Sequence, residues 1–525
     1  MLSRFEFWIF LIWVCFGFRA SNFGFRLERH GIIESVATQQ VAGSLGGLDG
    51  VLVGGAIALL FVISYVFGRH EKDTDDFFLG GRRIPWIVAC LSFVATEISA
   101  LALVGMPHTA FTENWRWFQF LIGLALARLV VAFLFIPAFY KYNCTSIYEF
   151  LGHRFGPATQ YTGSIYFLVT RLIASGVRLY ATCMAVGLIL GWPLAPTLAL
   201  FTVVSVVFIA FGGIKALVWT GAYQAIFFIV SGVLVAGFLV QSIDGGLPSA
   251  LQTARDAGRL STFNFAWNLN DAGTFWAGVT GGLFTGLVSF GADQEMVQRL
   301  LTVRTRRSSQ KTILATIVTV LPVYWLYLLI GTLLYVFYGQ HPELPLPAEL
   351  KTIFPHFART LLPAGLKGLV LASIVLASVD SPLSSLTTSF VRDIYRPLIR
   401  KEATEKHYLL VSRIGVVVFG LILAAIAAAC EPVQNILWFA FQILALTGGP
   451  MLGVFLLGLL TRRKANLANL PAMLISTALC TVLLVLIQQK TLALGWTWLI
   501  VLGAAMTMAL SYSFSLRTKS PPSRT

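Results

Sequence analysis

The sequence predicts an all-α polytopic membrane protein of about thirteen transmembrane helices, with a five-plus-five inverted-repeat core in which each half opens on a broken helix. Three observations predict it. First, 57% of the 525 residues are hydrophobic and 12% are charged, in apolar runs of ~20 residues that suit a bilayer and no soluble domain. Second, the apolar stretch Ser92–Met106, SFVATEISALALVGM, holds Glu97 between Thr96 and Ser99, with Pro107 just beyond. A charge at that depth costs at least ~2.5 kcal/mol unless it faces a partner or a cavity, so the helix is read as interrupted to line a site. Third, the span 273–294 carries Gly278, Gly281, Gly282, Gly286 and Gly291, a density that weakens a helix and exposes carbonyls. It is the sixth span from the one holding Glu97, so the two interruptions occupy corresponding places in two halves, which marks an inverted-repeat core with a midplane site. Small-residue helix packing is the other reading of those glycines.

In chain order, Arg4 precedes a short apolar run, Phe7–Phe18, and residues 1–21 are read as a signal peptide or a short N-terminal helix. A peripheral span follows at 50–68. The first five-helix unit covers 86–241, with spans at 86–112, 115–141, 158–190, 194–212 and 217–241. The second covers 273–460, with spans at 273–294, 311–339, 364–390, 407–430 and 435–460. Two peripheral spans, 470–488 and 495–513, complete the set. Lys and Arg concentrate in alternate loops, among them Arg82, Arg83, Arg154, Lys215, Arg299, Arg304, Arg396, Arg400, Arg462 and Arg463. The positive-inside rule then puts the mature N-terminus outside and the C-terminus in the cytoplasm.

The net charge of +15 belongs to those loops and implies no nucleic acid. The six cysteines form no CxxC pair and read as small core residues. No connection is long enough for a soluble catalytic domain, and no GxxxxGK[ST] phosphate loop is present, which excludes nucleotide-driven work within this chain. An intramembrane enzyme would need His, Asp or Cys clustered at membrane depth, whereas the seven His lie mainly in loops or near span ends.

In span 158–190, Arg171 and Arg178 stand seven residues apart, two helical turns, and so share a face. A desolvated pair of guanidinium forks suits a carboxylate or phosphate. The competing reading is an internal ion pair, with Glu97 as the acid for Arg171 and Arg178 nearer the outer end.

Six stretches in order make the chain similar to the sodium/solute symporter family, whose members carry sugars, amino acids, carboxylates, iodide and vitamins. They are FFLGGRRIPW (Phe77–Trp86), SIYEFLGHRFG (Ser146–Gly156), FGGIKALVWTGAYQ (Phe211–Gln224), GADQEMVQRLL (Gly291–Leu301), SSLTTSFVRDIYRP (Ser384–Pro397) and GGPMLGVFLLGLLTRR (Gly448–Arg463). Most mark helix ends and define a scaffold. The resemblance implies ion-coupled symport of a small polar, and by the arginines anionic, solute by alternating access, in the inner membrane of a bacterium. The partners expected are that solute and membrane lipid, with sodium as the coupling ion. A proton-coupled or sodium-independent transporter of the same fold, or a solute-sensing membrane module, is the alternative; the short tail after residue 513 leaves no signalling domain.

The resemblance also places sodium on the backbone carbonyls of Ala95 and Ile98 in the first core helix. On the eighth it adds Ile374, Ala377 and Ser378. Two departures stand out: Ala377 replaces a hydroxyl, and Gly221 stands where many relatives carry Asp, a charge that Asp380 or Asp293 could supply instead. For the solute it points to Thr96, Ser99 and Leu101 on the first core helix, to Ser289 and Phe290 at an inner gate on the sixth, and to Gln442 beside Phe441 on the tenth. Trp115, Trp117 and Phe118 are placed near the entrance.

Overall fold

The protein is described by a computed structural model over residues 46–68, 73–379, 382–430 and 436–517, without the side chains of 100–101, 211, 378–379, 436–442 and 517. The N-terminal segment 1–21 and the side chains of Leu101, Ser378 and Gln442 therefore lie outside the described residues.

Every regular element among the described residues is a helix. After the peripheral α1 (Gly47–Gly68) and the short α2 (Thr74–Leu79), the first core helix is split into α3 (Trp86–Glu97) and α4 (Ala100–Thr112). There follow α5 (Trp117–Lys141), α6 (Ile147–Arg154), α7 (Pro157–Leu190), α8 (Leu194–Ala210), α9 (Gly212–Ser242) and the surface helix α10 (Gly246–Asp256). The second half begins with α11 (Phe275–Ala292) and its continuation α12 (Gln294–Leu301). Then come α13 (Arg306–Gln340), α14 (Ile353–Thr360), α15 (Leu366–Val379), α16 (Leu383–Ser389), α17 (Glu405–Ala429), α18 (Ile436–Leu460), α19 (Asn469–Gln488) and α20 (Thr497–Arg517).

Among the described residues, ten helices are long and apolar enough to cross a membrane, and up to eleven if the bent pair Thr74–Arg82 and Trp86–Glu97 counts as one span. The expected thirteen is not reached on length and apolarity. The span foreseen at 86–112 is split, and those foreseen at 194–212 and 364–390 give only the shorter apolar helices Leu194–Ala210 and Leu366–Ala377.

The breaks have local causes. Past Glu97 the backbone leaves the helix, with Ile98 at φ −88°, ψ 70° and Ser99 extended at φ −72°, ψ 169°. Between α8 and α9 the chain turns at Gly213, whose φ of 48° and ψ of −155° suit a residue without Cβ. The glycines of α11 correct the sequence reading. They do not break the helix, which runs unbroken to Leu287 before a π-helical stretch Val288–Ala292. Instead they let α5 and α11 touch: a Cβ on Gly282 would stand 2.2 Å from the Phe120 carbonyl oxygen. Small-residue packing of that kind joins helices that share no hydrophobic driving force in lipid. The true break comes later, at Asp293 (φ −110°, ψ 122°), whose side chain caps α12 by accepting from the Glu295 amide at 2.8 Å.

Elsewhere, carboxylates knit elements together. Buried Asp49 on α1 accepts from the amides of Gly365 and Gly368 at the start of α15, at 2.7 and 2.8 Å. Just beyond α16, fully buried Asp393 accepts from the Ser146 hydroxyl at 2.6 Å and the Gln160 amide at 3.0 Å. It thereby fastens the α6 loop and the start of α7 to the end of the α16 segment. Burial, and then the nearby Glu149 carboxylate, push the Asp393 pKa up from 3.8 to about 7. A carboxyl whose folded pKa is raised contributes fully below the unfolded value and loses its contribution as pH rises through the folded one. The protein should therefore lose thermal stability between pH 4 and 7 in part through Asp393, and Asp393→Asn should flatten that loss. A variant whose unfolding temperature follows the wild-type pH profile would contradict this.

Candidate functional site

Two buried charge groups stand at the two helix breaks. At the first, Glu97 on the last residue of α3 pairs with Arg128 of α5, both almost wholly buried. The Arg128 fork also donates to Thr316 Oγ1 of α13 and to the Leu124 carbonyl, each at 3.0 Å. Its guanidinium carbon lies 4.3 Å from the centre of the Phe290 ring, on the π-helical stretch of α11, and that ring in turn packs against Phe93 of α3 at 5.4 Å.

At the second break, Arg171 donates to Asp293 at 3.0 Å and pairs with Glu295, and Arg178 donates to the same Glu295 at 3.1 Å. Arg299, 1% exposed, reaches back to the Ser92 hydroxyl of α3 at 3.3 Å and to the Glu295 carbonyl at 2.6 Å. Three guanidiniums thus gather around two carboxylates, Asp293 and Glu295, within one buried neighbourhood. Such a group favours one more negative charge.

The sequence reading of the arginines is corrected in two places. The acid for Arg171 is not Glu97 but Asp293 with Glu295. Arg178 shares Glu295 with Arg171, as their two-turn spacing allows. Arg299, counted above among loop charges, is fully buried. Sequence reasoning passed over Arg128, Glu295 and Arg299. For Arg128 a signal existed, a lone cation inside an apolar span. The other two were hidden in a motif read as a loop end.

The residues assigned to sodium, Ala95, Ile98, Ile374 and Ala377, are all buried in one continuous apolar core, and α4 packs against α15. The break releases the Ile98 carbonyl from its helical partner. The Ala102 amide, which would take the Ile98 carbonyl in an unbroken helix, turns to Ser99 O at 2.8 Å, and Ser99 itself is extended. Neutral carbonyl oxygens of that kind suit a hard monovalent cation. Gly221 has a steric reason: a Cβ there would stand 2.5 Å from the Ser92 hydroxyl oxygen, so the relatives' Asp would press on α3. Asp293, one of the suggested substitutes, is already committed to Arg171, and Asp380 lies outside the described residues.

Of the solute positions, Thr96 is buried and donates to Ser92 O at 3.0 Å, and Ser99 is buried at the break. Phe290 is buried against Arg128 and Phe93, with Ser289 beside it on the same π-helical stretch. Of the residues expected near the entrance, Trp115 is buried and donates to Thr332 at 2.9 Å, while Trp117 packs on Phe120. A hydroxyl-lined cavity of about 30 Å³ lies between α7, α8, α15 and α17, bounded by Ser175, Arg178, Thr182, Thr202, Ser205 and Ala377 among others. It borders both Arg178 and the helix assigned to sodium.

A helical core with two halves, in which helix breaks bring buried charges and non-helical backbone together inside the protein, is the architecture of a secondary transporter. The sodium:solute symporter family profile matches residues 77–476, and the chain belongs to that family. It is 31% identical to the sodium/sialic acid symporter NanT of Aliivibrio fischeri, over 90% of this chain and 93% of that protein. It is 29% identical to the human sodium-coupled monocarboxylate transporter 1, over 76% and 66% of the respective chains. A solved substrate-bound, outward-open Na+-coupled sialic acid symporter superposes with a TM-score of 0.80 and 25% identity, covering 91% of this chain and 99% of that one. A nucleobase-cation-symport-1 transporter shares the fold alone, at a TM-score of 0.53 and 11% identity over 84% and 95%.

Removing the shared acid is the direct probe of the second charge group. Glu295→Gln leaves buried guanidiniums short of a countercharge and should destabilise the protein by about 3–5 kcal/mol, read as a fall in unfolding temperature in detergent. A change within the noise of the wild type would show that the group does not depend on Glu295.

Proposed function

We propose that the protein is a sodium-coupled symporter of a small anionic solute, working by alternating access, with sodium at the first helix break and the solute's carboxylate beside the second. The carrying observation is the surplus of guanidinium over carboxylate around Asp293 and Glu295. A solute carboxylate entering there completes the charge balance, with Arg171 offering its fork as Asp293 yields and Arg178 held by Glu295. Relatives named for sialic acid and for monocarboxylates, all anions, support the same class.

Sodium would rest on the carbonyls of Ala95 and Ile98 with Ile374, Ala377 and Ser378. Since Ala377 offers no hydroxyl, the carbonyls carry more of the coordination. Thr96, Ser99, Leu101, Ser289, Phe290 and Gln442 would line the path of the solute. The basic loops would face the cytoplasm.

Reconstituted into liposomes, the protein should take up sialic acid or a small monocarboxylate when sodium is outside and fail when choline replaces it. Uptake that ignores sodium and follows a pH gradient would overturn the coupling ion. Arg171→Gln, folded, should bind the same anion about tenfold more weakly or worse, the loss expected for one charge-assisted contact; unchanged affinity would remove Arg171 from the site.

A further inference from the structure

Arg128 touches the helices that carry both breaks, meeting Glu97 at the end of α3 and Phe290 on α11. It rises from α5 and spends its fork in three directions: to Glu97 at the end of α3, to Thr316 on α13, and to its own helix at Leu124. Its guanidinium carbon lies over the Phe290 ring, 4.3 Å from the centre, on the π-helical stretch of α11 three residues before the chain turns at Asp293. The four elements that meet there are the first, second, sixth and seventh helices of the ten-helix core. Their backbones are in close contact as well, α5 against α11 through Gly123 and Gly282, and α13 against both α3 and α4.

A plain buried ion pair does not need this arrangement. Arg128 is 2% exposed, and one carboxylate would neutralise it. Yet Glu97 engages it through one oxygen only, and the other, Oε1, is buried with no hydrogen-bond partner. An acceptor left in that condition costs about 1–3 kcal/mol. The pair is therefore positioned at some expense to its own hydrogen bonding, at the residue that lies between Ala95 and Ile98 and immediately precedes the break. A guanidinium held over a ring and hydrogen-bonded through its fork is fixed more tightly than an ammonium would be.

We propose that Arg128 is a positioning residue that couples the first helix break to the second. A cation bound at the Ala95 and Ile98 carbonyls draws on the end of α3. The Glu97–Arg128 link then carries that shift to Phe290 and the Val288–Asp293 joint, beside Arg171 and Arg178. The inference rests on the functional reading for the presence of a cation at the first break, and extends it by naming the residue through which occupancy is transmitted.

Hydrogen exchange by mass spectrometry on the full-length protein in detergent tests it with sodium alone, choline being the control. In the wild type, sodium should slow exchange about tenfold at residues 95–102 and also at 288–294. In Arg128→Gln, protection should remain at 95–102 and vanish at 288–294; Arg128→Lys should restore part of it. If Arg128→Gln does not fold, the double variant Glu97→Gln with Arg128→Met removes both charges together, a change a buried pair commonly tolerates, and should show the same split. Sodium protection that reaches 288–294 undiminished in the folded variants would overturn the proposal, as would a wild type protected only at 95–102. Protection at neither break would overturn the sodium reading itself, and this one with it.

Discussion

A charge at membrane depth must find its countercharge within the same protein, because the bilayer offers no water to replace it. That constraint organises this chain. Glu97 finds Arg128, and Arg171 and Arg178 find Asp293 and Glu295. In each case one member lies on an interrupted helix at the point where it is interrupted. The helix breaks and the ion pairs are thus two aspects of one design: the ion pairs hold the broken ends in place, and the break leaves the backbone that the proposed cation site would use. Around them the packing is close enough that Gly282 and Gly221 admit no side chain without displacing a neighbour.

The two groups differ in balance, and the difference gives them different work. The first is one acid against one base, closed on itself and tied to α13 and α11 through Thr316 and Phe290. It is suited to holding geometry. The second carries more guanidinium than carboxylate and is suited to receiving an anion. Between them, Arg299 reaches from the second break to Ser92 on α3, giving a further physical contact between the halves. Binding at either break can then alter the other with only small movements, since these contacts are discrete and short.

The helical membrane class, the two halves and the place of the first break were legible from composition and from the conflict between Glu97 and its apolar surroundings. The pairing of charges was not. Two-turn spacing put Arg171 and Arg178 on one face, but nothing local says which of several acids comes to meet them, and the nearest intramembrane candidate, Glu97, was taken by Arg128 of the adjacent α5. Glycine density misled in a specific way. Gly278, Gly282 and Gly286 repeat every four residues because α5 lies against them, while the break waits for Asp293, an ordinary capping residue followed by the short α12. Arg299 was misplaced because a basic residue beyond an apolar span is usually in a loop. Here the chain turns back into the protein and buries it.

The central claim is that a cation at the first break and an anion at the second stabilise one another. Equilibrium binding of radioactive sodium to the purified protein, measured at rising concentrations of sialic acid or lactate, addresses it without any transport step. Coupling of ~1–3 kcal/mol predicts that sodium affinity rises several-fold or more as the anion saturates, and by linkage that the anion's affinity rises by the same factor with sodium. Sodium affinity that stays constant while the anion demonstrably binds would contradict it.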